Sequence, residues 1–189
     1  MDKTISVLMV GVGGQGIVLA SNVLCTAAMY AGHDVKKSEI HGMAQRGGSV
    51  VSHVRFGKKV LSPVVPSASA DFILSFERME FLRYMDFVND SSTLILNTRH
   101  ILPPSVAMGT EPYPDAVIDS ELGNFCEKLE LNADELAEQS GNAKAAGTVM
   151  LGALAKYLDI SKDVWEKAIA ETVPPKALEV NLKAFAAIK

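Results

Sequence analysis

Two cysteines, Cys25 and Cys126, are all the thiol this 189-residue chain carries. They cannot supply the four thiolates of an iron–sulfur cluster or of a four-cysteine zinc site. Cys25 falls within an apolar helical stretch and Cys126 lies between Phe125 and Glu127. Both read as small buried hydrophobes, and with no disulfide framework the chain suits a reducing cytoplasm. His53 and His100 lack a second His or Cys at ligand spacing, so no metal site is expected there. No apolar run approaches the roughly 18 residues that a membrane span needs. The N-terminal Met1-Asp2-Lys3-Thr4 has no basic-then-apolar leader pattern and runs directly into a strand. Nor is there an excess of positive charge: the formal net charge is −4. That argues against nucleic acid as the main ligand. The nucleophile elbow G-x-S-x-G, the phosphate loop G-x-x-x-x-G-K-[ST] and the Gly-Asp-Gly thiamine motif are missing too.

What remains is an ordinary globular composition, 48% hydrophobic and 21% charged, sized for one domain or one domain with a helical appendage. Its most informative stretch is Ile5 to Ala20, a buried strand, a glycine turn and the first turns of a helix. Gly11, Gly13 and Gly16 satisfy G-x-G-x-x-G, and Gly14-Gln15 sit inside it. Such a turn lets a ligand approach the backbone and presents helix N-terminal N–H groups to an anion. A dinucleotide fold also needs an acid at the end of the next strand, about 20 residues on. That strand is expected from Asp34 to about Ile40, and its only acids, Asp34 and Glu39, precede its end. In place of an acid comes a second glycine turn, His41-Gly42-Met43-Ala44-Gln45-Arg46-Gly47-Gly48-Ser49. Both turns are expected at the C-terminal ends of neighbouring strands, where open α/β sheets bind ligands. Arg46 could fork onto a phosphate or carboxylate. His41 reads equally as a ligand donor or as a strand-end histidine.

The first helix is expected over Gln15–Ala31, apolar on nearly every side and so buried on more than one. Residues 49–56 read as a strand that turns at Gly57-Lys58-Lys59 and returns through Val60-Leu61-Ser62 as a hairpin. Asp71–Phe76 and Thr93–Asn97 are further buried strands, with a helix over Glu77–Phe87 whose charged start reads as solvated. Ala116–Asp119 reads as a short strand, and Leu129–Asn132 as another, with Asn132 capping a helix through Gln139. Helices then follow at Ala143–Leu158, Ser161–Thr172 and about Lys176–Ala187. The small residues Gly141, Gly147 and Gly152 mark a packing site, internal or between subunits. Alternating strands and helices predict a three-layer α/β/α fold, Rossmann-like, with a mixed, mostly parallel sheet. Residues 1–189 are expected to form a single domain, with 133–189 as a helical lobe or arm. The apolar first helix, with Trp165, Leu178, Leu182 and Phe185, predicts obligate association: a heteromer in cells and a homodimer when the chain is made alone.

Taken together, Gly11-Val12-Gly13-Gly14-Gln15-Gly16, the His41–Ser49 turn, Asn142 with Val149–Leu154, and Pro174–Phe185 resemble the gamma-type domain of 2-oxoacid:ferredoxin oxidoreductases. The chain is most similar to the beta-subunit branch that acts on indolepyruvate. One departure is Gly147-Thr148, where that family often has asparagine. The resemblance implies a subunit, inactive alone, of an enzyme that oxidatively decarboxylates a 2-oxoacid to an acyl-CoA and reduces ferredoxin. It places thiamine diphosphate and iron–sulfur clusters on a large alpha subunit, and coenzyme A at the subunit interface. By motif, Gly11, Gly13, Gly14, Gln15, Gly16, His41, Gln45, Arg46, Gly47, Gly48 and Ser49 would line that cleft; no catalytic residue is assigned. The alternative is a self-sufficient Rossmann-type NAD(P) or flavin enzyme. A purely structural assembly subunit is a third reading.

Overall fold

The computed structural model describes residues 3–42 and 48–188. The chain opens with β1 (Ile5–Val12), whose Val7, Leu8, Met9 and Val10 have no exposed surface, as an apolar run at the centre of a sheet requires. It continues through α1 (Ile17–Tyr30), β2 (Asp34–His41), β3 (Ser49–Gly57) and β4 (Phe72–Ser75). A 3₁₀ segment, Glu80–Phe87, leads to β5 (Thr93–Asn97), α2 (Pro104–Ala107), α3 (Asp115–Leu122) and β6 (Glu127–Leu131). The helical remainder is α4 (Ala133–Gln139), α5 (Ala146–Ala155), α6 (Lys162–Thr172) and α7 (Leu178–Phe185). Short 3₁₀ turns at Ala143–Ala145 and Pro175–Ala177 precede α5 and α7.

The six strands lie in the order β2-β3-β1-β4-β5-β6. β1, β4, β5 and β6 run parallel, whereas β3 is antiparallel to both β1 and β2. The sheet is therefore mixed and mostly parallel, as its sequence pattern predicts. Side-chain alternation divides the core in two. Val7 and Met9 face α1 and the C-terminal helices; Leu8 and Val10 face the 3₁₀ segment and α3.

Cys126 is exposed rather than buried, and two expectations of local secondary structure fail. Val60–Ser62 does not pair back onto β3, whose antiparallel partners are β1 and β2. Pro63 and Pro66 follow that stretch and cannot donate ladder bonds. Residues 58–71 instead run as irregular chain tied to the sheet by side chains. Asp34 accepts from the Val60 N–H (2.8 Å), His53 Nδ1 from the Val65 N–H (3.2 Å), and Arg55 donates to the Ser62 carbonyl (3.0 Å). Ala116–Asp119 is not a strand but part of α3, where Ile118 and Leu122, four apart, share the buried side. A short apolar run carries too few residues to separate a period of 2 from one of 3.6.

The cap expected at Asn132 is formed, whereas Ser161 begins α6 with no side-chain cap. Asn132 Oδ1 accepts from the Glu135 N–H (3.1 Å) at the start of α4. At the end of α1 the Gly32 N–H reaches the Met29 carbonyl (2.9 Å) and the His33 N–H reaches Ala28 (3.1 Å), a paired C-terminal closure. Packing corrects the argument for association. α1 lies between the sheet and helices α5 and α6, so most of its apolar surface is used within the chain. Trp165 and Phe185 are buried against each other with ring centroids 5.4 Å apart. The small-residue site is internal as well: a Cβ on Gly152 would stand 2.2 Å from the Phe185 carbonyl oxygen, so α5 and α7 meet backbone to backbone there.

Candidate functional site

β1 and β2 point the same way with β3 between them, so their C-terminal ends share one rim although the strands are not neighbours. The described ends of the second glycine turn, Gly42 and Gly48–Ser49, lie at that rim, and Gly48 touches the first turn. The Gly13 N–H donates to the Gly48 carbonyl (2.8 Å), and the Gly42 N–H donates to the Ser49 carbonyl (3.2 Å). Gln45, Arg46 and Gly47 lie outside the described residues, and for His41 only the backbone pairing with Val50 is described.

Within the first turn each residue has a distinct task. Gln15 braces it: its Oε1 accepts from the Val12 N–H (2.7 Å) and its Nε2 donates to the Phe76 carbonyl (2.7 Å). That amide is thereby engaged inside the fold, linking the end of β1 to the end of β4. Gly11 is needed for this brace, since a Cβ there would stand 2.6 Å from Gln15 Oε1 and 2.9 Å from Phe76 Cβ. Gly14 and Gly16 adopt φ of +101° and +80° and face open space. Their requirement is conformational, and it leaves the backbone open to a ligand. Gly16 begins α1 with no side-chain cap, and the first turn of that helix has no acidic residue. Neither the cap nor the first turn of α1 compensates the positive end of its dipole.

Ser49 anchors the second turn to the sheet's other face, its Oγ donating to Glu80 Oε2 (2.6 Å). Glu80 is buried and also accepts from Arg83 Nε (3.1 Å). The charged start after β4 is not a solvated one. Glu77 is fully buried and its carboxylate accepts from the Met79, Glu80 and Ile101 N–H groups and the Tyr113 hydroxyl, at 2.7 to 3.1 Å. By holding Met79 and Glu80, it starts the 3₁₀ segment three residues later than the periodicity suggests. Burial, then the bond to Glu77, pushes the Tyr113 hydroxyl well above the usual phenol range, so it stays a donor.

On the opposite side of the first turn lies a cleft of about 430 Å³, between Gly14–Gly16, the ends of β4 and β5, and the start of α5. Asn97 holds its wall: Nδ2 donates to the Phe76 carbonyl (3.1 Å) and to Asp134 (2.8 Å), while Oδ1 accepts from the Ala133 N–H (3.0 Å). Asp134 in turn pairs with Arg99 at the mouth. Lys144 lines the same cleft and forms no ion pair among the described residues. The sequence does not mark Arg99 or Lys144; a strand-end position and a short loop join them only in the fold.

This arrangement does not suit a nicotinamide dinucleotide. Its ribose acid must stand at the end of the strand beside β1. Here β3 occupies that place and runs the other way. β2 is one strand further out, and its Glu39 is paired with Lys37 (2.6 Å). Among the described residues no three His, Cys, Asp or Glu side chains are grouped to hold a metal ion.

Comparison with known proteins agrees with this architecture. The family model for pyruvate ferredoxin/flavodoxin oxidoreductase matches residues 6–188. Indolepyruvate oxidoreductase subunit IorB of Archaeoglobus fulgidus is 42% identical over 187 residues, spanning 96% of this chain and 92% of its own. The subunit of the same name from Pyrococcus horikoshii is 40% identical over 191 residues, spanning 97% and 93%. The crystal structure of a keto/oxoacid ferredoxin oxidoreductase gamma subunit from Geobacter sulfurreducens shares the fold with a TM-score of 0.72 at 25% identity, over 97% of this chain and 95% of that one. Matched from its first strand to its last helix, the chain belongs to the pyruvate ferredoxin/flavodoxin oxidoreductase family.

Proposed function

We propose that this chain is a non-autonomous subunit of a 2-oxoacid:ferredoxin oxidoreductase that converts an arylpyruvate, indolepyruvate foremost, to an acyl-CoA. The observation that carries this reading is similarity over nearly its whole length to subunits named for indolepyruvate oxidoreduction. The geometry suits the role. The rim supplies backbone N–H groups and cations, which would bind and orient a ligand. Gly13, Gly14, Gly16 and Gly48 would border the cleft, with Gln45, Arg46 and Gly47 completing it and coenzyme A passing at the subunit interface. Thiamine diphosphate and iron–sulfur clusters on the large partner would supply decarboxylation and electron transfer to ferredoxin. Among the described residues no helix is long and apolar enough to cross a membrane, and we place the complex in the cytoplasm.

Affinity isolation of the tagged full-length chain from its native cells tests the assignment. A large chain bearing thiamine and iron should come with it in fixed ratio. Recovery of this chain alone, together with saturable NADH binding, would replace the reading with that of a self-sufficient Rossmann-type enzyme.

A further inference from the structure

We propose that the outer edge of β2 is a self-association surface, on which a second copy of this chain continues the sheet antiparallel across a two-fold axis at Ser38. β2 ends the strand order, and among the described residues nothing pairs with its outer side. It is eight residues long, and a long open edge is a template for another strand. The Gly42 N–H donates to the Ser49 carbonyl (3.2 Å), in step with the β2–β3 register, and this sets the phase of the ladder. Even-numbered residues turn their N–H and C=O groups toward β3. Val35, Lys37, Glu39 and His41 therefore turn theirs outward. Beside them the Ile40 side chain is 57% exposed. The opposite edge, β6, has five residues, and its Lys128 is drawn onto the Leu122 carbonyl (3.1 Å), so it offers a shorter template.

Charge selects both the occupant and the register. A two-fold axis normal to the sheet sets one residue opposite its own copy. An axis at Lys36 or Lys37 brings two ammonium groups face to face, and one at Glu39 brings two carboxylates; like charges directly opposite are destabilising. At Ser38 the axial residue is neutral, and Lys37 of each copy faces Glu39 of the other. Within one chain these two side chains already pair at 2.6 Å, both partly buried. Two such pairs across the axis alternate in sign as a network, which is worth more than an isolated surface pair. A uniformly acidic or basic strand would match half of this alternation, whereas a second copy matches all of it. The same register sets Val35 opposite His41, so all four outward backbones find partners; an axis at any other residue leaves at least one without. It also sets Ile40 opposite Lys36, whose aliphatic stem covers the exposed isoleucine.

Equilibrium sedimentation of the full-length chain across the micromolar range measures the association. A dimer should form, and Lys37→Glu should weaken it about tenfold, because carboxylates alone then surround the axis. Adding Glu39→Lys to that variant restores the alternation and should restore the dimer, which separates a charge effect from misfolding. Register is read by cross-linking in a Cys126→Ser background, since that thiol is exposed. At the axis the two Ser38 residues form a non-hydrogen-bonded pair with Cβ atoms about 4.5–5.5 Å apart. Ser38→Cys should therefore give a disulfide-linked dimer on mild oxidation. Lys36→Cys should not, because its copy stands four positions along the facing strand, roughly 13 Å away, beyond the reach of a disulfide. The proposal is overturned by a chain that stays monomeric throughout the range, or by a dimer that Lys37→Glu leaves equally tight. Cross-linking at Lys36→Cys but not at Ser38→Cys would overturn it too. None of these outcomes depends on the large partner, so failure here is separable from failure of the subunit assignment.

Discussion

Replacing Gly11 by alanine should damage the protein more than replacing Gly14, although Gly14 is the residue with positive φ. A Cβ added at Gly11 would meet Gln15 Oε1 at 2.6 Å and Phe76 Cβ at 2.9 Å. Overpacking of this kind costs about 1–3 kcal/mol. Relief requires expelling the Gln15 amide, which gives up its bonds to the Val12 N–H and the Phe76 carbonyl. Each is worth about 1 kcal/mol net, and the stranded Val12 N–H adds a desolvation penalty. Phe76 keeps Asn97 as a donor, so its carbonyl is not orphaned. The sum is about 3–5 kcal/mol, or a fall in Tm of roughly 10 °C for a chain of this size. Gly14→Ala meets nothing within 4 Å and loses only about 1 kcal/mol to its left-handed backbone. Thermal and urea unfolding of both variants, with Gln15→Ala and the Gly11→Ala/Gln15→Ala double, would measure this. The double should fall short of additivity by about 1–2 kcal/mol, because both changes remove the same brace. Strict additivity, or a larger loss at Gly14 than at Gly11, would refute the reasoning.

His53 is buried, and burial lowers its pKa while its Nδ1 accepts from Val65. The folded state therefore disfavours the proton, so its stabilising contribution is present above the ordinary imidazole pKa of about 6.5 and declines as pH falls below it. Urea midpoints measured down to pH 5 should show that decline, and His53→Gln should flatten it. The Cys25 thiol is pushed up to about 11, chiefly by burial, so iodoacetamide at pH 7 should leave it unmodified in the folded chain; rapid alkylation on the timescale of a free thiol would contradict that. Gly152→Ala should cost about 2–4 kcal/mol, because α7 must move away from α5; an unchanged urea midpoint would show that the two helices do not touch there.

Local chemistry made much of the fold legible. The β1–turn–α1 unit, the Asn132 cap and the buried runs of β4 and β5 are written in residues a few positions apart. What sequence pattern could not specify was pairing across distance. β3 inserts between β1 and β2, so a dinucleotide fingerprint stands on a sheet that lacks the neighbouring strand end it usually serves. The Val60–Ser62 stretch has strand-like composition but is captured by Asp34 and Arg55, with His53 holding Val65 just beyond it. Glu77 reads as a surface charge until the loop carrying Ile101 and Tyr113 closes over it. Arg99 and Lys144 carry no local signature at all, and only the meeting of β5 with the start of α5 brings them into one cleft.

Reconstitution is the most direct test of the central claim. The purified chain and its large partner, separately and mixed, are assayed for arylpyruvate-dependent reduction of ferredoxin with and without coenzyme A. Neither chain alone should turn over, and the mixture should require both arylpyruvate and coenzyme A. Full activity from the large chain alone, or no gain on mixing two folded chains that bind each other, would contradict the assignment.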